Sequence, residues 1–162
     1  MKIKEHKGFT LIELLVVISI IGVLSSVVLA ALGSARSSSL NTSIKSNLNN
    51  SRAAAEIWYD DVTTGNGTYS GLCQNATFQK FVNAAHASSK ATNISYLTAG
   101  AGNQTNTTLS VCHSAAGGWA ESVPLKVPEG SGGTLLYWCV DWTGTAAAKI
   151  NPIGTLTTCP AT

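Results

Sequence analysis

The chain has 162 residues, only 11% of them charged, and a formal net charge of +2. Soluble domains usually carry about 25% charged residues; here Ser, Thr, Asn and Gly fill that place, and after Gly8 the seven basic and seven acidic residues cancel. The net charge is too small to suggest a nucleic-acid binder with a concentrated basic face, and the balance excludes an acidic tail, a basic arm and a highly charged disordered chain.

Lys2, Lys4 and Lys7 lead into an apolar segment. From Leu14 to Ala35 there are 22 residues without a charge, and a bilayer core takes about 20 mostly apolar residues in a helix. The basic flank predicts Met1 in the cytoplasm and the remainder outside. Three readings compete. A cleaved secretory signal has an apolar region of roughly 7–15 residues, shorter than this one, although Gly33-Ser34-Ala35 would serve as a small-residue cleavage site. A plain single-pass anchor fits the length but leaves Glu13 unexplained, since a charge is disfavoured there. The third reading rests on the string Lys7-Gly8-Phe9-Thr10-Leu11-Ile12-Glu13-Leu14-Leu15-Val16-Val17.

That string resembles the leader and N-terminus of type IV prepilins and of the pseudopilins of type II secretion. The resemblance is carried by a short basic leader, Gly8-Phe9, an acid at fixed offset and a full-length apolar helix. It implies that a membrane-embedded prepilin peptidase cuts after Gly8 and N-methylates Phe9, and that Glu13 acts in assembly. It also implies a membrane-held subunit that meets inner-membrane assembly machinery and polymerises with its own kind. The location implied is the inner membrane, then an extracellular pilus or periplasmic pseudopilus. The family's tip-most subunit often lacks the acid, so Glu13 favours a subunit packed along the fibre. One departure is the missing helix-breaking Pro: its place is Ala30, and the segment contains Gly22 instead.

Phe9 to Asp60 contains no Pro and reads as one helix, apolar all round at first and then amphipathic. Leu40, Ile44, Leu48, Ala55 and Tyr59 recur at helical spacing, with Asn41, Lys45, Asn49 and Arg52 on other faces. Gly22 and Ser26 form a small-xxx-small pair that permits close helix contact. Turn residues from Asp60 to Gly67 end the helix. Phe78, Phe81, Val82 and Ala85 then predict a short helix over Gln74–Ser88. Ala91 to Ala120 has no charge and reads as a loop-rich connector. Trp119–Val127 is interrupted by Pro124 and is expected to be at most an edge strand. Thr134–Asp141 is the best strand, with Thr145–Ile150 returning as its hairpin partner.

The cysteines, Cys73, Cys112, Cys139 and Cys159, form no CxxC pair and match no zinc spacing. Export to an oxidising compartment makes two disulfides the expectation. Three connectivities exist; Cys73–Cys112 with Cys139–Cys159 is favoured because each closes a single local segment. The chain-entropy model gives about 3–4 kcal/mol for each.

Enzyme signals are absent: there is no HExxH or GxSxG, and no catalytic residue, metal site or cofactor is expected. His86 and His113 read as surface histidines. Asp60-Asp61 reads as a solvated helix end. Asn-x-Ser/Thr matches such as Asn66-Gly67-Thr68 carry no weight in so polar a chain. Trp58, Trp119, Trp138 and Trp142 suit a carbohydrate face, but core packing explains most of them more simply.

The expected fold class is α+β, a long helix packed on a small antiparallel sheet with two disulfides. Its parts are a removed leader (1–8), a transmembrane and filament-core helix (9–35) and its amphipathic continuation (36–60). A connecting region with a short helix (61–118) and a sheet with a C-terminal disulfide loop (119–162) complete it. The expected function is a structural fibre subunit. The alternative is a membrane-anchored or tip-located minor pilin that binds DNA or a surface glycan, although no clear nucleic-acid site is present.

Overall fold

The computed structural model describes residues 8–98 and 108–160. The expected leader residues ahead of Gly8, with their three lysines, lie outside the described residues. The chain divides into two compact units, residues 1–36 and 37–162. Helix α1 runs Leu11–Asp60 without interruption at Gly22.

In the first unit every described residue is exposed. Two of its hydroxyls turn back on the helix itself: the Ser19 hydroxyl donates to the Leu15 carbonyl at 2.8 Å and the Ser26 hydroxyl to the Val23 carbonyl at 2.7 Å. This internal satisfaction is what an apolar medium demands of a hydroxyl.

The second unit is built on the remainder of α1. The buried stripe there is Asn41, Ile44, Leu48, Ser51 and Ala55, with alternating steps of three and four residues that keep one face on a partner. Leu40 and Tyr59, expected in the stripe, are half-buried. Asn41, expected on another face, is buried. Helix α2 (Ala76–Ser88) starts at Asn75, whose Oδ1 accepts the Thr77 and Phe78 backbone N–H groups at 2.9 Å each. It buries Phe78, Val82 and Ala85, and Phe78 meets Trp119 edge-on with centroids 5.4 Å apart. Between the helices the chain doubles back on α1 at Gly65. A Cβ there would fall 2.1 Å from the Trp58 carbonyl oxygen, so only glycine fits.

The sheet has five strands in the order of the chain: β1 (Asn93–Thr98), β2 (Leu109–Ala115), β3 (Gly118–Glu129), β4 (Leu135–Asp141) and β5 (Ala146–Lys149). The β1–β2 pair is parallel and the others are antiparallel. The sheet is therefore mixed rather than purely antiparallel, and the supposed loop-rich connector supplies two strands. The middle strand is β3, not an edge. Pro124 is accommodated because it lies beyond the last β2 partner pair, Val111↔Ser122, where β3 pairs with β4 alone.

One face of the sheet packs on the helices through Cys112, Trp119, Val123 and Val140. The other carries Val111, Ala120 and Cys139 under Ile153 of the C-terminal segment. That segment is tied down by the Cys139–Cys159 disulfide, and the Cys73–Cys112 disulfide fixes the turn before α2 to β2. Asp141 Oδ2 accepts the Cys159 N–H at 2.7 Å, and its Oδ1 accepts from Thr143 and Thr145. Burial alone would raise this carboxyl, but these bonds outweigh it and hold it below the usual aspartate range. His113 is buried rather than on the surface.

Asn41 explains the rotated stripe. Beyond Pro124 the β3–β4 register shifts, leaving backbone groups without ladder partners. Asn41 Oδ1 accepts the Lys126 and Val127 N–H groups at 2.8 and 3.2 Å, and its Nδ2 donates to the Val127 carbonyl at 2.8 Å and Glu129 Oε1 at 3.1 Å. One turn on, Lys45 pairs with Glu129 at 2.7 Å and lies 4.8 Å over the Trp138 ring. An Asn41→Ala change strands part-buried backbone groups of Lys126 and Val127. It is expected to cost about 1–2 kcal/mol, less than for fully buried groups because water reaches the part-exposed ones. Urea unfolding of the chain in detergent, followed by tryptophan fluorescence, measures it.

Candidate functional site

The residues singled out at the N-terminus sit where α1 begins. Gly8 and Phe9 precede it, and Phe9 is 79% exposed. A Cβ placed on Gly8 would meet nothing within 4 Å. The fold itself therefore makes no demand for glycine at this position.

Thr10 and Glu13 form a reciprocal cap. The Thr10 N–H donates to Glu13 Oε2 at 2.9 Å and the Thr10 hydroxyl donates to the same oxygen at 2.7 Å. The Glu13 N–H in turn donates to Thr10 Oγ1 at 3.3 Å. This is a capping box: the residue before the helix and the third residue within it satisfy each other's backbone donors. Glu13 thereby acquires a role in its own helix, and an acid in the first turn also favours the positive end of the helix dipole. Among the described residues Thr10 is its hydrogen-bond partner, through Oε2, which leaves Oε1 open. The sequence reading passed over Thr10, although Thr-x-x-Glu ahead of an apolar run was signal enough to find it.

Around this end the surface is apolar. Phe9, Ile12, Val16 and Val17 line a shallow hollow beside Glu13, and the run continues through Leu32 with every large apolar side chain exposed. The helix is long and apolar enough to cross a membrane.

No cluster of His, Cys, Asp or Glu able to hold a metal is found among the described residues. His86 Nδ1 contacts Ser110 Oγ at 3.0 Å, and burial pulls its pKa down. Asp61 accepts the Thr63 hydroxyl and N–H at 2.7 and 2.8 Å, which hold its carboxyl below the usual range and close the end of α1. Trp119 is fully buried and Trp58 and Trp138 pack on the same core, so of the four tryptophans Trp142 is the exposed one. The four cysteines are consumed in disulfides.

Replacing Thr10 with valine removes the hydroxyl but keeps the shape. Loss of the cap is expected to cost about 1 kcal/mol, which corresponds to about fivefold faster amide exchange at residues 11–14. Hydrogen exchange in detergent micelles reads this directly.

The comparisons with known proteins bear on this same segment. No curated protein and no solved structure matches the chain. Residues 3–29 match the family model described as the prokaryotic N-terminal methylation motif. The match spans Lys4 and Lys7, Gly8, Phe9, the Thr10–Glu13 cap and most of the exposed apolar run. The chain carries the type IV prepilin leader signature.

Proposed function

We propose that this chain is a structural subunit that polymerises through its N-terminal helix into a type IV pilus or pseudopilus fibre. The observation that carries the proposal is the coincidence of the methylation motif with an apolar helix that has no cover of its own.

The subunit waits in the membrane, with the disulfide-stapled second unit on the outer side. A prepilin peptidase cuts between Gly8 and Phe9 and methylates the new amine. Glycine is needed there for the peptidase's approach to the backbone, in keeping with the absence of any demand from the fold. Cleavage places a positive charge four residues, about 6 Å, from Glu13 along the helix. Subunits enter a fibre at successive axial offsets, so the amine of one reaches Glu13 of another. The cap holds Oε2 and presents Oε1 to that amine. In a dry bundle, removing one member of such a pair costs several kcal/mol, so the pair sets the register of docking.

The mature protein is expected to begin at N-methylated Phe9, as read by intact mass and N-terminal sequencing of exported protein. A start at Arg36 would identify an ordinary signal peptide instead. Gly8→Ala is expected to fold and remain uncleaved. Glu13→Ala is expected to be cleaved and held in the membrane, yet to yield about a hundredfold less fibre. Immunoblots follow processing and shearing with microscopy follows fibres, in cells lacking the wild-type copy. Normal fibre yield from Glu13→Ala would remove the charge-pairing step.

A further inference from the structure

Glu121 lies on the helix-facing side of β3, between its cross-strand partners Cys112 and Val140. It is completely buried. Its Oε1 contacts Ser51 Oγ on α1, and its Oε2 is buried with no hydrogen-bond partner among the described residues. The surrounding core is apolar: Leu48 and Ala55 of α1, Phe78 and Val82 of α2, and Trp119, Val123 and Val140 of the sheet. An ionised carboxylate in such a place is held by neither a cation nor a set of donors.

A proton count at Ser51 points the same way. Ser51 Oγ is also 2.7 Å from the Leu48 carbonyl oxygen. A serine has one proton to give, and an ionised Glu121 and a carbonyl are both acceptors. Both contacts are satisfied together when the carboxyl itself carries a proton and donates it to Ser51 Oγ, while the serine proton goes to Leu48.

We propose that Glu121 is a protonation-controlled latch between α1 and the sheet. Protonated, it closes the contact with Ser51. Ionised, it forces charge into the core and loosens the sheet from α1. Of the groups facing it, α1 presents Ser51, β1 presents Tyr96, β2 presents Cys112 and β4 presents Val140. Cys112 is locked in its disulfide, and burial raises the Tyr96 phenol, which donates to Asn83, above its ordinary range. Neither titrates near neutrality.

Burial pushes the Glu121 carboxyl up to about 8. The unfolded chain ionises this residue in the ordinary glutamate range, near 4.5. A raised acid therefore contributes its full stability below that range. The contribution is lost as pH rises towards 8 and does not fall further above it. His86, whose pKa is lowered by burial, acts with the opposite sign on the acid side.

The test is thermal unfolding of the full chain in detergent, from about pH 5 to about pH 9, for the wild type and Glu121→Gln. The wild-type unfolding constant is expected to rise roughly tenfold per pH unit from about pH 5 to about 8 and then to level off, lowering Tm by on the order of 10 °C. Glu121→Gln, which cannot ionise, is expected to lose that fall and keep the small opposite trend from His86. Identical pH profiles for the two proteins would overturn the proposal. Infrared spectroscopy at neutral pH supplies a second measurement that needs no folded variant. With Glu side chains isotopically labelled, a protonated-carboxyl carbonyl band is expected in the folded wild type, and its absence would overturn the proposal as well.

Discussion

The constraint on which everything else depends is the cover that residues 9–32 lack. Sixteen large apolar side chains in that stretch, from Phe9 to Leu32, are exposed. At about 1.5–3 kcal/mol for burying each, leaving them in water would cost tens of kcal/mol, more than the usual stability of a domain of this size. Lipid or other helices must provide the cover. Lipid tails are about as apolar as leucine, so moving from bilayer to helix bundle has little hydrophobic gain of its own. What can favour the bundle is close packing and the fate of the polar groups. Glu13 is the ionisable group in that apolar stretch, which is why the proposed assembly step is built on it.

The capping box adds a physical point to that step. A carboxylate entering an apolar medium needs donors, and Thr10 supplies two through one oxygen. The helix therefore holds Glu13 in place by itself. The same contact starts α1 at the residue after Thr10 and orients the acid towards the end where the new amine would stand.

The second unit draws its stability from a different source. It has its own core, two disulfides and a set of polar contacts that join α1 to the sheet at Asn41, Lys45 and Ser51. Much of this layout was legible in the sequence. The absence of Pro from Phe9 to Asp60 foretold a continuous α1, the Phe78–Ala85 spacing foretold α2, and the strand over Thr134–Asp141, with its Trp142–Gly144 turn and the return over Thr145–Ile150, stood out as a hairpin. Strands β1 and β2 did not, because β1 mixes Asn93, Ser95 and Thr98 with its apolar residues, β2 mixes Ser110, His113 and Ser114 with its own, and their pairing depends on distant partners. Asn41 was assigned to another face because hydropathy cannot show that its amide replaces missing ladder bonds on β3. Glu121 and His113 escaped for the same reason: burial of a titratable group is decided by what packs over it. The N-terminal methylation motif over residues 3–29 was readable because its pattern is local and its spacing fixed.

Electron cryomicroscopy of fibres sheared from cells that express this chain tests the central claim most directly. The account predicts fibres in which each subunit begins at Phe9, the apolar segments bundle along the axis, and density joins the amine of one subunit to Glu13 of another. Fibres that lack this chain, or that contain it with residues 9–32 facing solvent, would contradict it.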